Sequence, residues 1–373
     1  MSWETCRLGD VLTLKRGHDL PDSQRQDGDI PVVSSSGITG RHTESKAKAP
    51  GVVTGRYGTL GEVFYMVEDY WPLNTALYVT DFKGNHPHFV AYFLQRILRD
   101  YQSDKAAVPG VNRNVLHELT VRCPDPNTQE RVAGILSAYD DLIENNRRRM
   151  ALLEEAARQL YREWFVRLRF PGHEHTRIVG GVPEGWERKT LSEVADVNRE
   201  SLGSSFDGEI EYVDIASVTP GQISETSTYD FRDAPSRARR VVRHGDVIWS
   251  CVRPNRRSYS VIWQPPSNLI VSTGFAVLSP RSIPTSLLYF ASTTDAFVGY
   301  LENHARGAAY PAVVAGDFER AELCTPSPSL LASFNEIVEP TFSQVQNLHL
   351  QNQKLRAARD LLLPRLMSGE IEV

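Results

Sequence analysis

Cysteine chemistry is almost missing from this sequence: Cys6, Cys123, Cys251 and Cys324 stand far apart in 373 residues, with no Cys-x-x-Cys pair. That spacing argues against a zinc ribbon or a dithiol redox motif and predicts four reduced thiols. No stretch reaches the roughly 18 apolar residues that cross a bilayer, and Met1-Ser2-Trp3-Glu4 lacks the basic start and apolar run of a secretory leader. The expectation is a cytoplasmic protein without membrane contact. Catalytic signatures are missing too: there is no Gly-x-x-x-x-Gly-Lys-Ser/Thr loop, no Gly-x-Gly-x-x-Gly, no Gly-x-Ser-x-Gly elbow and no Asn/Asp-Pro-Pro-aromatic segment. His86-Pro87-His88 and His173-Glu174-His175 have no further ligands at metal spacing and read as surface histidines, so no metal site is expected. Bulk positive charge is also lacking. A net charge of -5 excludes a protein that coats nucleic acid, so any contact with DNA has to be local.

What is present is globular: 41% hydrophobic and 23% charged residues. At about 150 residues per domain, this length holds two or three units. A long internal repeat then organises the chain. Trp3-Glu4, Leu8 and Val11 are echoed by Trp186-Glu187, Leu191 and Val194 at an offset of 183. Thr75-Ala76-Leu77 meets Thr273-Gly274-Phe275 at 198, and Ala107-Val108-Pro109 meets Ala309-Tyr310-Pro311 at 202, so the second copy is longer by about 19 residues. Within the copies, Gly51–Thr54, Leu77–Val79, Asp246–Trp249 and Phe275–Leu278 read as strands, and Pro87 and Pro284 each open an amphipathic helix.

Each copy closes on a long helical pattern. Leu136, Tyr139, Ile143, Asn146, Met150, Leu153, Ala157, Leu160 and Trp164 alternate spacings of three and four, which places them on one coiled-coil seam. The second seam reads Val338, Thr341, Val345, Leu348, Asn352, Leu355, Arg359, Leu362 and Leu366. Asn146 and Asn352 interrupt the two seams, either as a device that fixes register or orientation or as tolerated positions where the helices fray. Pro340 interrupts the second pattern, and the helix is expected to start near it. The predicted fold is α+β: two pseudo-repeated mixed α/β domains, residues 1–127 and 185–328, separated by two long antiparallel coiled-coil helices, residues 128–169 and 329–373. The Gly- and Pro-rich stretch 170–184 reads as the linker.

One charge cluster stands out. Arg237, Arg239, Arg240, Arg243, Arg253, Arg256 and Arg257 fall within 21 residues whose only acid is Asp246. Arginine reads guanine bidentately, Asn and Gln read adenine, and Arg or Lys clamp phosphates. Arg253, Asn255, Arg256, Arg257 and Tyr259 therefore form the candidate DNA-binding segment of the second copy. Arg56, Tyr57, Asn112 and Arg113 form its sparser equivalent in the first.

The order of several segments resembles a known family. Trp3-Glu4 with Leu8-Gly9-Asp10, the stretch from Tyr161-Arg162-Glu163-Trp164-Phe165 to Phe170-Pro171-Gly172, the re-entry Val182-Pro183-Glu184-Gly185-Trp186-Glu187 and the ending Leu361 to Ile371 are similar to type I restriction-modification specificity subunits along nearly the whole chain. The resemblance implies that each copy recognises half of a split, asymmetric site in double-stranded DNA. It implies two docked DNA methyltransferase subunits and restriction translocase subunits beyond them. It also implies a non-catalytic chain without a cofactor of its own, S-adenosylmethionine binding the methyltransferases. A recognition component of a related defence or modification system, and a coiled-coil adaptor for other proteins, are the alternatives.

Overall fold

Short runs of β-branched and aromatic residues become the strands of this protein, and the 3-4 patterns become its two long helices. The computed structural model describes residues 3–56, 61–103 and 111–373. Two compact units mix helix and sheet: Met1–Asn146 with Gln351–Val373, and Arg147–Leu350.

In the first unit, strand Trp3–Arg7 pairs antiparallel with Thr120–Pro124, and the helical turn Leu8–Val11 that follows buries Leu8 and Val11. A four-stranded antiparallel sheet runs in the order Thr13–Arg16, Ala76–Asp81, Gly51–Gly55, Val63–Met66. A three-stranded sheet, Gly37–His42, Ile30–Ser34, Trp71–Pro72, accompanies it. Helix Pro87–Ser103 contributes Phe89, Phe93 and Leu94 to the core, where Leu363, Leu366 and Met367 join them.

In the second unit, Glu187–Thr190 pairs with Glu322–Thr325 and the turn Leu191–Val194 follows. Its four-stranded sheet runs Ala195–Val197, Phe275–Pro280, Val247–Ser250, Tyr259–Val261. The strand order corresponds to that of the first unit's four-stranded sheet, but the accompanying sheet has four strands, Ser227–Asp230, Glu209–Val213, Leu269–Ser272 and Ala238–Val241. Ala76 stands opposite Gly55 and Phe275 opposite Ser250. The matched residue of Thr75 is therefore Gly274 and not Thr273. Letter identity suggested the wrong partner because strand register is fixed by pairing and burial, and one residue of slip would turn every side chain to the other face. Ala107-Val108-Pro109 lies outside the described residues.

The central helix spans Pro126–Tyr161 and ends in a π turn, Arg162–Val166. Asp125 starts it: its carboxylate accepts from the Thr128 N–H at 3.1 Å and the Thr128 hydroxyl at 2.9 Å, and these bonds hold its pKa below the usual carboxylate range. Pro126 then sits where a missing N–H costs nothing. The C-terminal helix, Pro328–Ser368, runs straight through Pro340, contrary to the expected start there. Pro340 and Glu336 are exposed, so the carbonyl deprived of its donor can be hydrated, while buried Val338 and Phe342 hold the turn in place.

Of the seam residues, Leu136, Ile143, Asn146, Leu348 and Asn352 are buried, whereas Leu153, Leu160, Val345, Leu355 and Leu362 are half-buried. Within the first unit, Asn146 Nδ2 donates to Asn352 Oδ1 at 2.9 Å, and Asn352 Nδ2 donates to the Ile143 carbonyl at 3.2 Å. Arg359, the cation of the second seam, pairs with Asp140. In the second unit the helices meet through aromatics. Phe334 lies 6.2 Å from Tyr161, 5.9 Å from Trp164 and 4.8 Å from Phe165. Phe170, assigned to the linker, is buried 5.0 Å from Trp186.

One carboxyl on the central helix is also packed inside the second unit. A Cβ on Gly221 would lie 3.0 Å from the Tyr289 hydroxyl and 3.3 Å from Glu154 Oε2, and with φ at +76° this position favours glycine. Burial pushes the Glu154 pKa up to about 7 despite the nearby Arg158 guanidinium, which donates to Thr293 Oγ1 at 3.2 Å. Among the described residues, no helix is long and apolar enough to cross a membrane.

Candidate nucleic-acid interface

The segment singled out by its arginines is the loop between Val247–Ser250 and Tyr259–Val261. Its centre is a 3-10 turn, Pro254–Arg256, flanked by Arg253 at φ 51° and Arg257 at φ 55°. Two non-glycine residues in the left-handed region are unfavourable, so surrounding contacts have to hold them there. They do so on both sides. The Arg253 N–H donates to the Pro311 carbonyl at 2.7 Å, and its guanidinium lies 4.5 Å from the Tyr310 ring centre. Arg257 Nη2 pairs with Asp295 Oδ1 at 2.6 Å, and this partner depresses the Asp295 pKa. Pro254 is buried beneath the turn, leaving Asn255 and Arg256 exposed at its tip.

Tyr259 does not belong to this surface. It is 4% exposed and stands directly opposite Trp249 across the strand pair, 5.1 Å between ring centres. Strand periodicity turns it into the core, and a three-residue strand is too short for its phase to be read from sequence. The run of seven arginines is divided between the loop and a strand of the accompanying sheet. Arg239 stacks on Phe231 at 4.3 Å, Arg240 donates to Ser201 Oγ at 3.0 Å, and Arg243 pairs with Glu200 at 2.6 Å, all on or beside the edge strand Ala238–Val241 of the accompanying sheet. Asp246, the acid in the run, is buried and accepts the Arg243 N–H at 2.7 Å; burial raises its pKa.

In the first unit, Arg56 begins the topologically matching loop, and Tyr57 lies outside the described residues. The Arg56 N–H donates to the Thr75 carbonyl at 3.0 Å, and the Arg56 carbonyl accepts from Val111 at 2.9 Å. Cys251 makes the same two bonds in the second unit, to Gly274 at 2.8 Å and from Val313 at 2.9 Å. Asn112 follows Val111 and caps the short helix Arg113–His117, its Oδ1 accepting the Asn114 N–H at 3.0 Å. The amide oxygen needed for two-point adenine reading is thus already engaged, because a helix start satisfies its free N–H groups first. Arg113 is exposed beside it. Two residues that composition did not flag, Asp295 and Tyr310, complete the second loop. Neither had a signal beyond a helix start and a lone aromatic in a Gly/Ala-rich stretch.

Comparison with known proteins agrees with this architecture. Residues 1–155 match the family described as the type I restriction modification DNA specificity domain. The type I restriction enzyme MjaIX specificity subunit of Methanocaldococcus jannaschii is 24% identical over 299 residues, covering 75% of this chain and 68% of that protein. The MjaVIII specificity subunit of the same organism is 19% identical across 100% of this chain and 93% of its own length. The chain is similar to type I restriction-modification specificity subunits over most of its length. A solved S subunit of the type I restriction-modification system from M. genitalium shares the fold, with a TM-score of 0.61, 16% identity and coverage of 98% of this chain and 96% of that one.

His88 and His173, one from each histidine pair, make contacts within the protein. The His88 ring lies 3.6 Å from that of Tyr65, burial lowers its pKa, and His173 Nδ1 is 2.8 Å from the Phe170 carbonyl oxygen. Among the described residues, no group of three His, Cys, Asp or Glu is placed to hold a metal ion.

Proposed function

We propose that this chain supplies DNA sequence specificity to a type I restriction-modification complex as a non-catalytic subunit, each unit reading one half of an asymmetric, bipartite target. The observation that carries the reading is the loop tip Asn255-Arg256: an amide and a guanidinium, both exposed on a braced turn, in a chain whose net charge is -5. Those two groups are the ones that read adenine and guanine in the major groove. The matching strand orders and the matching bonds of Arg56 and Cys251 support treating the two units as pseudo-repeated recognition domains. The buried Asn146–Asn352 pair supports an antiparallel helix pair that acts as a spacer. The partners in this reading are double-stranded DNA, two methyltransferase subunits and restriction translocase subunits. S-adenosylmethionine is bound by the methyltransferases, and their catalytic groups perform the chemistry.

Genomic DNA sequenced for methylated bases, with and without this gene, tests the proposal. One split motif with two different halves should disappear with the protein. An unchanged set of methylated motifs in cells where the partner methyltransferase is expressed would overturn it, as would methyl transfer by the isolated chain.

A further inference from the structure

Beside the arginine loop of the second unit, a second loop is built with equal care. Arg306 and Ala312 exchange backbone hydrogen bonds of 2.8 and 2.9 Å, closing the intervening residues into a tight turn. Ala312 also bridges to Val252, and Val313 donates to the Cys251 carbonyl at 2.9 Å, so the two loops are joined by one short ladder. Gly307 permits the closure: its φ is +103°, and a Cβ there would lie 3.0 Å from the Tyr310 carbonyl oxygen. At the top stands Tyr310, 69% exposed, an unusual position for a large aromatic. Arg253 fixes it from one side by stacking at 4.5 Å and by donating from Nη2 to the Ala309 carbonyl at 3.3 Å. Arg306 and Arg256 are exposed on the same pair of loops. An exposed ring held by one arginine, on loops that carry two further exposed arginines, suits a polyanion with flat apolar edges, such as the sugars, thymine methyl groups and base edges of duplex DNA.

We infer that the Arg306–Ala312 loop is a second DNA-contacting element of this unit, with Tyr310 as a specificity-determining contact and Arg253 as its positioning residue. The inference rests on the function proposed above and divides the loop arginines by role. Arg256 reaches outward to DNA, whereas Arg253 is spent on orienting the ring. Lysine in place of Arg253 keeps the charge and loses the planar stack.

The test is made in the complex with the methyltransferase, using the methylated motif and a panel of duplexes that each differ from it at one base pair. Tyr310→Ala should reduce discrimination by about tenfold at one or two positions of a single half-site, leaving the other half unchanged. Arg253→Lys should relax the same positions while the dependence of affinity on salt stays as in the wild type. If Arg256→Ala weakens recognition but Tyr310→Ala does not, the second loop is not a contact and this inference fails alone. An Arg253→Lys complex with wild-type discrimination overturns the positioning role. A wild-type complex that discriminates no duplex overturns the proposed function instead.

Discussion

Thr54 and Trp249 occupy the same place in the four-stranded sheets of the two units, one residue before Gly55 and Ser250, and their neighbours compensate for the difference in size. Thr54 faces Leu77 across the sheet, and Trp249 faces Ala276. A small residue meets a large one in both, with the large one on opposite strands. Both buried polar groups are satisfied, the Thr54 hydroxyl by the Glu62 carbonyl at 2.8 Å and Trp249 Nε1 by the Ser292 carbonyl at 2.9 Å. The backbone frame is therefore what the units share, and at this pair the large and the small residue exchange strands. The loops that end on the frame differ freely. A capping Asn112 in one unit becomes Val314 in the other, where the carboxylate of buried Asp317 takes the Val314 N–H at 2.9 Å. Such a frame lets recognition chemistry change without a change of fold.

The largest expected effect comes from forcing one unit's choice onto the other. Trp249→Thr leaves Ala276 facing a cavity and should cost about 3–5 kcal/mol in chemical denaturation. Adding Ala276→Leu should recover part of that loss; a double variant no more stable than the single would break the pairwise comparison.

The helices differ between units as well: an amide pair in the first, an aromatic cluster with a packed carboxyl in the second. Glu154 titrates near 7 in the folded state, above its ordinary 4.5. Between those values the folded chain holds the proton more tightly than the unfolded chain, so this stabilisation is present below about pH 4.5 and is lost as pH rises to 7. Glu154→Gln should flatten that slope and gain about 2 kcal/mol at pH 8, read from denaturation midpoints across pH. An unchanged slope would mean that the carboxyl is solvated.

The amide pair should show the smallest effect, and one that depends on both partners. Asn146→Leu leaves the buried Asn352 oxygen without its donor and should cost about 1–2 kcal/mol, whereas Asn146→Leu with Asn352→Leu should be near neutral. Additive losses in that double-mutant cycle would show that the 2.9 Å bond contributes nothing to stability.

The long helices were legible because spacings of three and four persist over many turns, and short strands because β-branched runs end at glycine and serine. Phe334 and Phe342 were not found by the heptad, since this helix also buries a second face: Phe342 packs 5.6 Å from Tyr289 and 6.1 Å from Phe290. Pro340 misled because its exposure, which makes it tolerable, is a tertiary property. Within the candidate site, Asn255 and Arg256 could be named from chemistry alone. The separation of Arg239 and Arg243 from Arg256 could not, because proximity in sequence says nothing about which sheet an edge strand joins. Tyr259 failed for the same reason at smaller scale.

The first unit draws Leu363, Leu366 and Met367 into its core. On the ribosome those residues arrive only after Arg147–Leu350 has been made, roughly 10–40 s after Asn146 at ordinary rates of synthesis. For that interval the apolar cluster that includes Val132, Ala133 and Leu136 lacks Leu363, Leu366 and Met367. A nascent or prematurely terminated polypeptide without them would leave that cluster unfinished, within reach of chaperones and proteases, while the second unit is still being made. Completion of the first unit thus waits for Leu363, Leu366 and Met367, although most of its residues are made earlier.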